Sequence, residues 1–262
     1  MTRMLHSKYL CTLLLMLSQS LAMALSEDEA RAKLESLGGK CTVKDDHVRS
    51  VAFPKRSTPE QVALLEFFPE TESVGAQHTM APSESWQVLH RLPKLRPLVV
   101  WDSHEIQDLR VFAALPLKTL LLGGTMGLQK GSRQEDAILD VANLPNLTKF
   151  FFAHGINAKK DSHITHLRES FPQLTDLRID IGPKENRTVT AAGIAKLASF
   201  QELTRLEFEG GAIPMEFLEI VVKAPKLKEL VLRLGRPEVR VVTPAELEAF
   251  QAKYSKLKIT IK

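Results

Sequence analysis

Two histidines one helical turn apart, in His163-Ile-Thr-His166, are the first side chains in this chain whose spacing could do chemistry together. Imidazoles at i and i+3 share a helix face and could share a divalent metal, but a metal site needs further ligands. No carboxylate or cysteine follows at ligand spacing, so the pair reads as surface histidines. The glycine-rich stretch from Gly123 to Ser132 superficially resembles a phosphate loop. It fails the G-x-x-x-x-G-K-[ST] template because Lys130 precedes its glycine, Gly131, and it reads as a turn. Cys41 has no context that would make it a nucleophile and reads as a small buried hydrophobe. No G-x-S-x-G elbow and no H-E-x-x-H pair occurs. These residues predict no catalytic residue, no metal ligand and no cofactor, and therefore a non-enzyme. The weakest alternative is an enzyme with its site in the Gly123 to Ser132 insert. Asn146-Leu-Thr and Asn186-Arg-Thr match the glycosylation acceptor, which matters only in a eukaryotic secretory pathway.

The elements that would have to position any site are set by a recurring L-x-x-L-x-L spacing. It reads Leu95, Leu98, Val100; Leu117, Leu120, Leu122; Leu147, Phe150, Phe152; Leu174, Leu177, Ile179; Leu203, Leu206, Phe208; and Leu227, Leu230, Leu232. Successive sets start 22, 30, 27, 29 and 24 residues apart. Such a period marks a solenoid of strand-plus-return units. Val48, Val51 and Phe53 fit the same slots, and Thr71, Val74 and Ala76 fill them less completely. The C-terminal Tyr254, Leu257, Ile259, Ile261 aligns with Leu174, Leu177, Ile179, Ile181. About nine strands result, and because every return crosses back the same way they should lie parallel. Helical returns are expected at 58–68, 83–92, 134–144, 162–171, 190–200, 215–224 and 243–254, several opened by Thr-Pro or Ser signals. Ser26 and Glu29 form an S-x-x-E box before a short helix ending at Gly38-Gly39, so 25–47 reads as a helical N-terminal cap and 48–262 as eight to nine repeat units.

The first 24 residues read as a secretory signal: basic Arg3 and Lys8, an apolar stretch from Tyr9 to Leu17, and Ala22-Met23-Ala24 as the cleavage site. Retention as an anchor is the alternative, but Ser18, Gln19 and Ser20 leave the apolar stretch short of the ~20 residues a span needs. A secreted, periplasmic or envelope location follows. Cleavage removes two basic and no acidic residues, taking the net charge from +4 to about +2. That is too little to imply a nucleic-acid partner or an anionic membrane. Only Cys41 then remains, so an intramolecular disulfide is excluded and the core must hold the fold.

The stretch Val189 to Phe208, V-T-A-A-G-I-A-K-L-A-S-F-Q-E-L-T-R-L-E-F, resembles the repeat of exported bacterial leucine-rich repeat proteins of the planctomycete type. The lead-in Leu34 to Val43 is similar to the segment that precedes such repeats. The resemblance runs from Leu34 to the end and is closest in the last five units. It implies an α/β leucine-rich repeat solenoid, with a curved parallel sheet on the concave side and helices on the convex side, acting as a binding scaffold without an active site. The family's asparagine after each strand is missing. Ser103, Thr125, Gly155, Gly182 and Gly211 stand there, so the turns must be satisfied otherwise.

Side chains alternate along a strand, so the residues between the triplet positions face outward on the open side of the sheet. One lateral row reads Ser50, Ser73, Pro97, Thr119, Lys149, Asp176, Arg205, Glu229, Lys256, and its last five members alternate in sign. The next reads Ala52, Gly75, Val99, Leu121, Phe151, Arg178, Glu207, Val231, Lys258. The third reads Pro54, Gln77, Trp101, Gly123, Ala153, Asp180, Glu209, Arg233, Thr260. The middle units thus present Val99, Trp101, Leu121 and Phe151, an apolar cluster that suits a protein or glycan partner. The alternative is that the insert after Gly123 covers Trp101 and Phe151. A different class of reading is a structural envelope component with no specific ligand.

Overall fold

The computed structural model describes residues 25–124, 136–153, 158–181, 188–210, 213–234 and 241–262. The signal segment, most of the Gly123 to Ser132 insert, Asn186, and the turn positions Thr125, Gly155, Gly182 and Gly211 lie outside the described residues.

The chain opens with helix α1 (Glu27–Ser36), started by the expected reciprocal box between Ser26 and Glu29. Strand β1 (Lys40–Lys44) follows and turns back through Asp45 and Asp46, both at positive φ, into β2 (His47–Ala52). Two consecutive left-handed residues make the tight hairpin turn that suits twisted antiparallel strands. The sequence reading of 25–47 as a purely helical cap missed β1. Glu27 of α1 ties this end together by accepting the backbone N–H of Val48.

From β2 onward the strands come in strict order: β3 (Ser73–Gln77), β4 (Pro97–Trp101), β5 (Thr119–Gly123), β6 (Lys149–Ala153), β7 (Asp176–Asp180), β8 (Arg205–Glu209), β9 (Glu229–Arg233) and β10 (Lys258–Ile261). They form a single ten-stranded sheet in sequence order, antiparallel only between β1 and β2. This is the α/β repeat solenoid that the spacing implies. The six apolar triplets are buried, with Leu227 alone partly covered.

Register follows the expected rows from β2 to β9: Gly75 lies beside Val99, Val99 beside Leu121, Leu121 beside Phe151 and Phe151 beside Arg178. The last strand differs. Ile259 pairs with Leu230 and Lys258 with Glu229, two residues from the expected register. Lys258 and Thr260 therefore take the places assigned above to Lys256 and Lys258. The turn after the final helix uses the intervening residues.

The returns change character along the chain. The early ones are 3₁₀ segments: Leu64–Phe67 after the short α2 (Pro59–Ala63), then Ser83–Arg91, Leu109–Phe112 and Ala137–Asp140. The helices expected at 83–92 and 134–144 are thus 3₁₀, since buried positions three apart suit that geometry as well as α. The later returns are α-helices: α3 (Asp161–Ser170), α4 (Ala191–Ala198), α5 (Met215–Val221) and α6 (Pro244–Lys253).

The missing asparagines are replaced in two ways. Residues leaving the strands donate their N–H to the next unit's carbonyl: His78 to Trp101, Asp102 to Gly123, Gly210 to Arg233. His78, Asp102 and Gly124 all adopt positive φ, forming a left-handed column across three units. Beneath it, buried hydroxyls take over part of the bonding: Thr79 Oγ1 donates to the Ser57 carbonyl and Ser103 Oγ to that of Trp101.

Candidate functional site

The four residues singled out on the open face come together. Val99, Leu121 and Phe151 are direct lateral neighbours on β4, β5 and β6, and Trp101 lies two residues beyond Val99 on the same face. Val99 is the most exposed at 36%, while Trp101, Leu121 and Phe151 are half-buried. Covering comes in part from within the sheet. The indole lies over Gly123 of the neighbouring strand so closely that a Cβ there would sit 2.1 Å from the ring. Glycine is needed at 123 to let the tryptophan lie down.

On the N-terminal side of Trp101 the face steps down. Gly75 has nothing within 4 Å of where a Cβ would point, and Ala52 beside it is exposed. The step is an open concavity of about 510 Å³ lined by Ala52, Phe53, Gly75, Ala76, Gln77, Val99, Trp101 and Leu121. Phe151 lies outside it, on the far side of Leu121. Sequence reasoning named the walls and missed the floor, because Gly75 and Ala52 signal nothing by type. Their placement in the same row as Val99 was the available clue.

The C-terminal half of the face is a charge lattice. Glu207, only 3% exposed, is bonded by Arg205 and Arg233 and lies 3.3 Å from Arg178. Arg178 also pairs with Glu209 at 2.6 Å, Arg205 with Asp176 at 3.0 Å and Lys258 with Glu229 at 2.8 Å. Burial pushes the Glu207 pKa up, but the bonds from Arg233 and Arg205 outweigh it and hold the carboxyl below its ordinary range. At Asp176 burial wins over the same Arg205, and the carboxyl is pushed up. Strands β6 to β10 carry five cations here (Lys149, Arg178, Arg205, Arg233, Lys258) and five anions (Asp176, Asp180, Glu207, Glu209, Glu229). This half of the face is electrically balanced.

The histidine pair is not a surface pair. His163 is fully buried, and its Nε2 lies 2.8 Å from Asp136, which also bonds Lys160. Bonds from Lys160, then His163, hold the Asp136 carboxyl below the usual range. His163 Nδ1 makes no hydrogen bond, so no nucleophile is paired with it. His166 Nε2 donates to the Val141 carbonyl at 2.8 Å. Both rings bind the preceding return to α3 and act structurally. Among the described residues no three metal-ligating side chains converge, and no helix is long and apolar enough to cross a membrane.

The fold and its surface define a class: a repeat-built α/β solenoid with an open sheet face divided into an apolar and a charge-balanced half. No family model matches the chain, and no curated protein matches it in sequence. Among solved structures it is similar to an internalin from Listeria monocytogenes at 12% identity and a TM-score of 0.43. The match covers 76% of this chain and 65% of that one, so this chain spans about two thirds of the internalin's length.

Proposed function

We propose that this chain is an exported, non-catalytic scaffold that binds a protein through the apolar half of its open sheet face. The observation that carries this is the contiguity of Val99, Leu121, Phe151 and Trp101 across three strands, beside a depression floored by Gly75. A scaffold with no partner gains nothing from leaving such a surface open, since exposed contiguous apolar area favours association. The indole's neighbours on the face are Val99, Leu121 and Gly123, with Gln77 on the remaining side, so apolar contact outweighs hydrogen bonding there, which favours a protein over a glycan. Export rests on the first 24 residues of the sequence.

The test is capture from envelope extract by the immobilised protein, comparing the parent with Trp101→Ala and Phe151→Ala after confirming that both variants fold. Specific capture lost in both supports the reading. Capture unchanged in both removes this patch, and no specific capture by the parent leaves the structural-component reading in place.

A further inference from the structure

Among the described arginines, one at the rim of the apolar depression stands apart. Nine of the ten described arginines have a partner for the guanidinium. Arg31, Arg49, Arg91, Arg110, Arg178, Arg205 and Arg233 meet carboxylates, while Arg96 and Arg168 donate to backbone carbonyls. Arg56 alone has none among the described residues. It stands exposed at positive φ just after β2, beside an equally unpaired and exposed Lys55. Both line an open concavity of about 540 Å³ with His78, Thr79, Met80 and His104, at the strand ends that border the apolar depression. Gln77 belongs to the depression and His78 to the cationic rim, so the two surfaces are continuous. Lys40, exposed and without an ion pair among the described residues, lies beside Ala52 on β1. Residues directly opposite on antiparallel strands share a face, so Lys40 flanks the depression on its remaining side.

The opposing acid is Asp102, whose Oδ2 lies 3.7 Å from His78 Nε2. Counting the described residues alone, Lys40, Lys55 and Arg56 against Asp102 leave the rim at about +2 with the histidines neutral. At the other ends of the same strands Arg49 and Lys94 pair with Glu70 and Arg91 with Glu66, while Lys118 has no ion pair among the described residues.

We infer that the partner docks as an acidic protein segment carrying one bulky apolar residue. That residue fills the space above Gly75 against Trp101, and its carboxylates lie over Lys55 and Arg56. The inference rests on the binding role proposed above and specifies the partner. Charge complementarity selects an acidic sequence and speeds the encounter, and the apolar anchor sets how long the complex lasts.

The experiment is selection of a random peptide display library on the folded chain. Enriched peptides are then measured against Gly75→Val, Lys55→Ser with Arg56→Asn, and Trp101→Ala. Valine suits a strand and meets no atom at this position, and asparagine tolerates the left-handed backbone at 56 better than most residues. All three variants should keep the parent's melting temperature within a few degrees. Enrichment of Asp and Glu around a single Leu, Met, Phe or Trp is expected. Gly75→Val should weaken those peptides about tenfold or more. The double variant should slow association severalfold at low salt and match the parent at high salt, where exposed charges are screened. Neutral or basic consensus peptides, no enrichment, or a double variant that binds like the parent overturns the inference. Peptides that lose affinity in Trp101→Ala but ignore Gly75→Val and the double variant sink this inference alone. Peptides indifferent to Trp101→Ala sink the binding role beneath it.

Discussion

Replacing Glu207 by glutamine keeps the shape of the most buried carboxylate on the open face and removes its charge. Three guanidiniums then crowd a neutral amide. Removing one partner of a buried ion pair costs ~3–5 kcal/mol when the stranded charge cannot reach water. Here relief is available. Arg178 retains Glu209, and Arg205 retains Asp176 and Glu229. Arg178, Arg205 and Arg233 have side chains 18%, 25% and 38% exposed, so each can turn outward. Among the described residues, only Arg233 loses a carboxylate without another ion pair to fall back on. These considerations place the loss at about 2 kcal/mol, below the fully buried case. At ~2–4 °C per kcal/mol for a domain of this size, the melting temperature should fall by about 4–8 °C. Urea denaturation is the appropriate assay, because guanidinium chloride would screen the interaction under study. The sign of the pH dependence is fixed. The Glu207 carboxyl is held low in the folded state, so its contribution is present above the ordinary glutamate pKa and disappears as pH falls through the lower folded value. The variant and parent should therefore converge in acid. Asp176→Asn should cost less, since the Asp176 pKa is raised and its charge is disfavoured by burial. A loss in Glu207→Gln below about 0.5 kcal/mol, or an equal loss in acid and at neutrality, would refute the reasoning.

Two further outcomes are expected. Gly123→Ala should push the Trp101 ring off its neighbour and into solvent, which iodide quenching reads directly, because Trp86 is fully buried and stays silent. Unchanged quenching would mean the ring accommodates the methyl in place. Cys41 should react slowly with a thiol reagent at pH 8 and much faster near pH 11, because burial, and next the Glu35 charge, push its thiol up to about 11. Reaction at the rate of a free thiol at pH 8 would contradict that assignment.

The solenoid was legible because its signal is redundant. Six triplets such as Leu120-x-Leu122 and Leu177-x-Ile179 each name the buried face, and neighbours in register confirm one another. Where redundancy ran out, so did the reading. In β10 the alternation Leu257, Ile259, Ile261 satisfies two registers two residues apart, since strand side chains repeat every second residue. The charge row could not arbitrate, because Lys256 and Lys258 are both lysines. Strand β1 has no apolar face to detect: of its residues only Cys41 is even partly buried. The apolar patch followed from the rows alone, but its exposure depends on contacts across strands. Trp101 lies flat because residue 123 of the next strand is a glycine, and no local pattern around Trp101 contains that fact. The uncompensated edge at Lys55 and Arg56 was equally hidden, since which cations find carboxylates is decided by packing between units.

The change from 3₁₀ to α returns also sets the body's outline. Adjacent strands are held about 4.8 Å apart, while an α-helix with its side chains is about 10 Å across. Stacking helices behind a sheet therefore fans the units open at the back and bends the front into an arc, and slimmer 3₁₀ segments demand less of that fanning. The units from α3 onward are therefore expected to bow more tightly than those before, which would set Val99 and Trp101 on the flatter stretch and Glu207 and its arginines in the deeper bend.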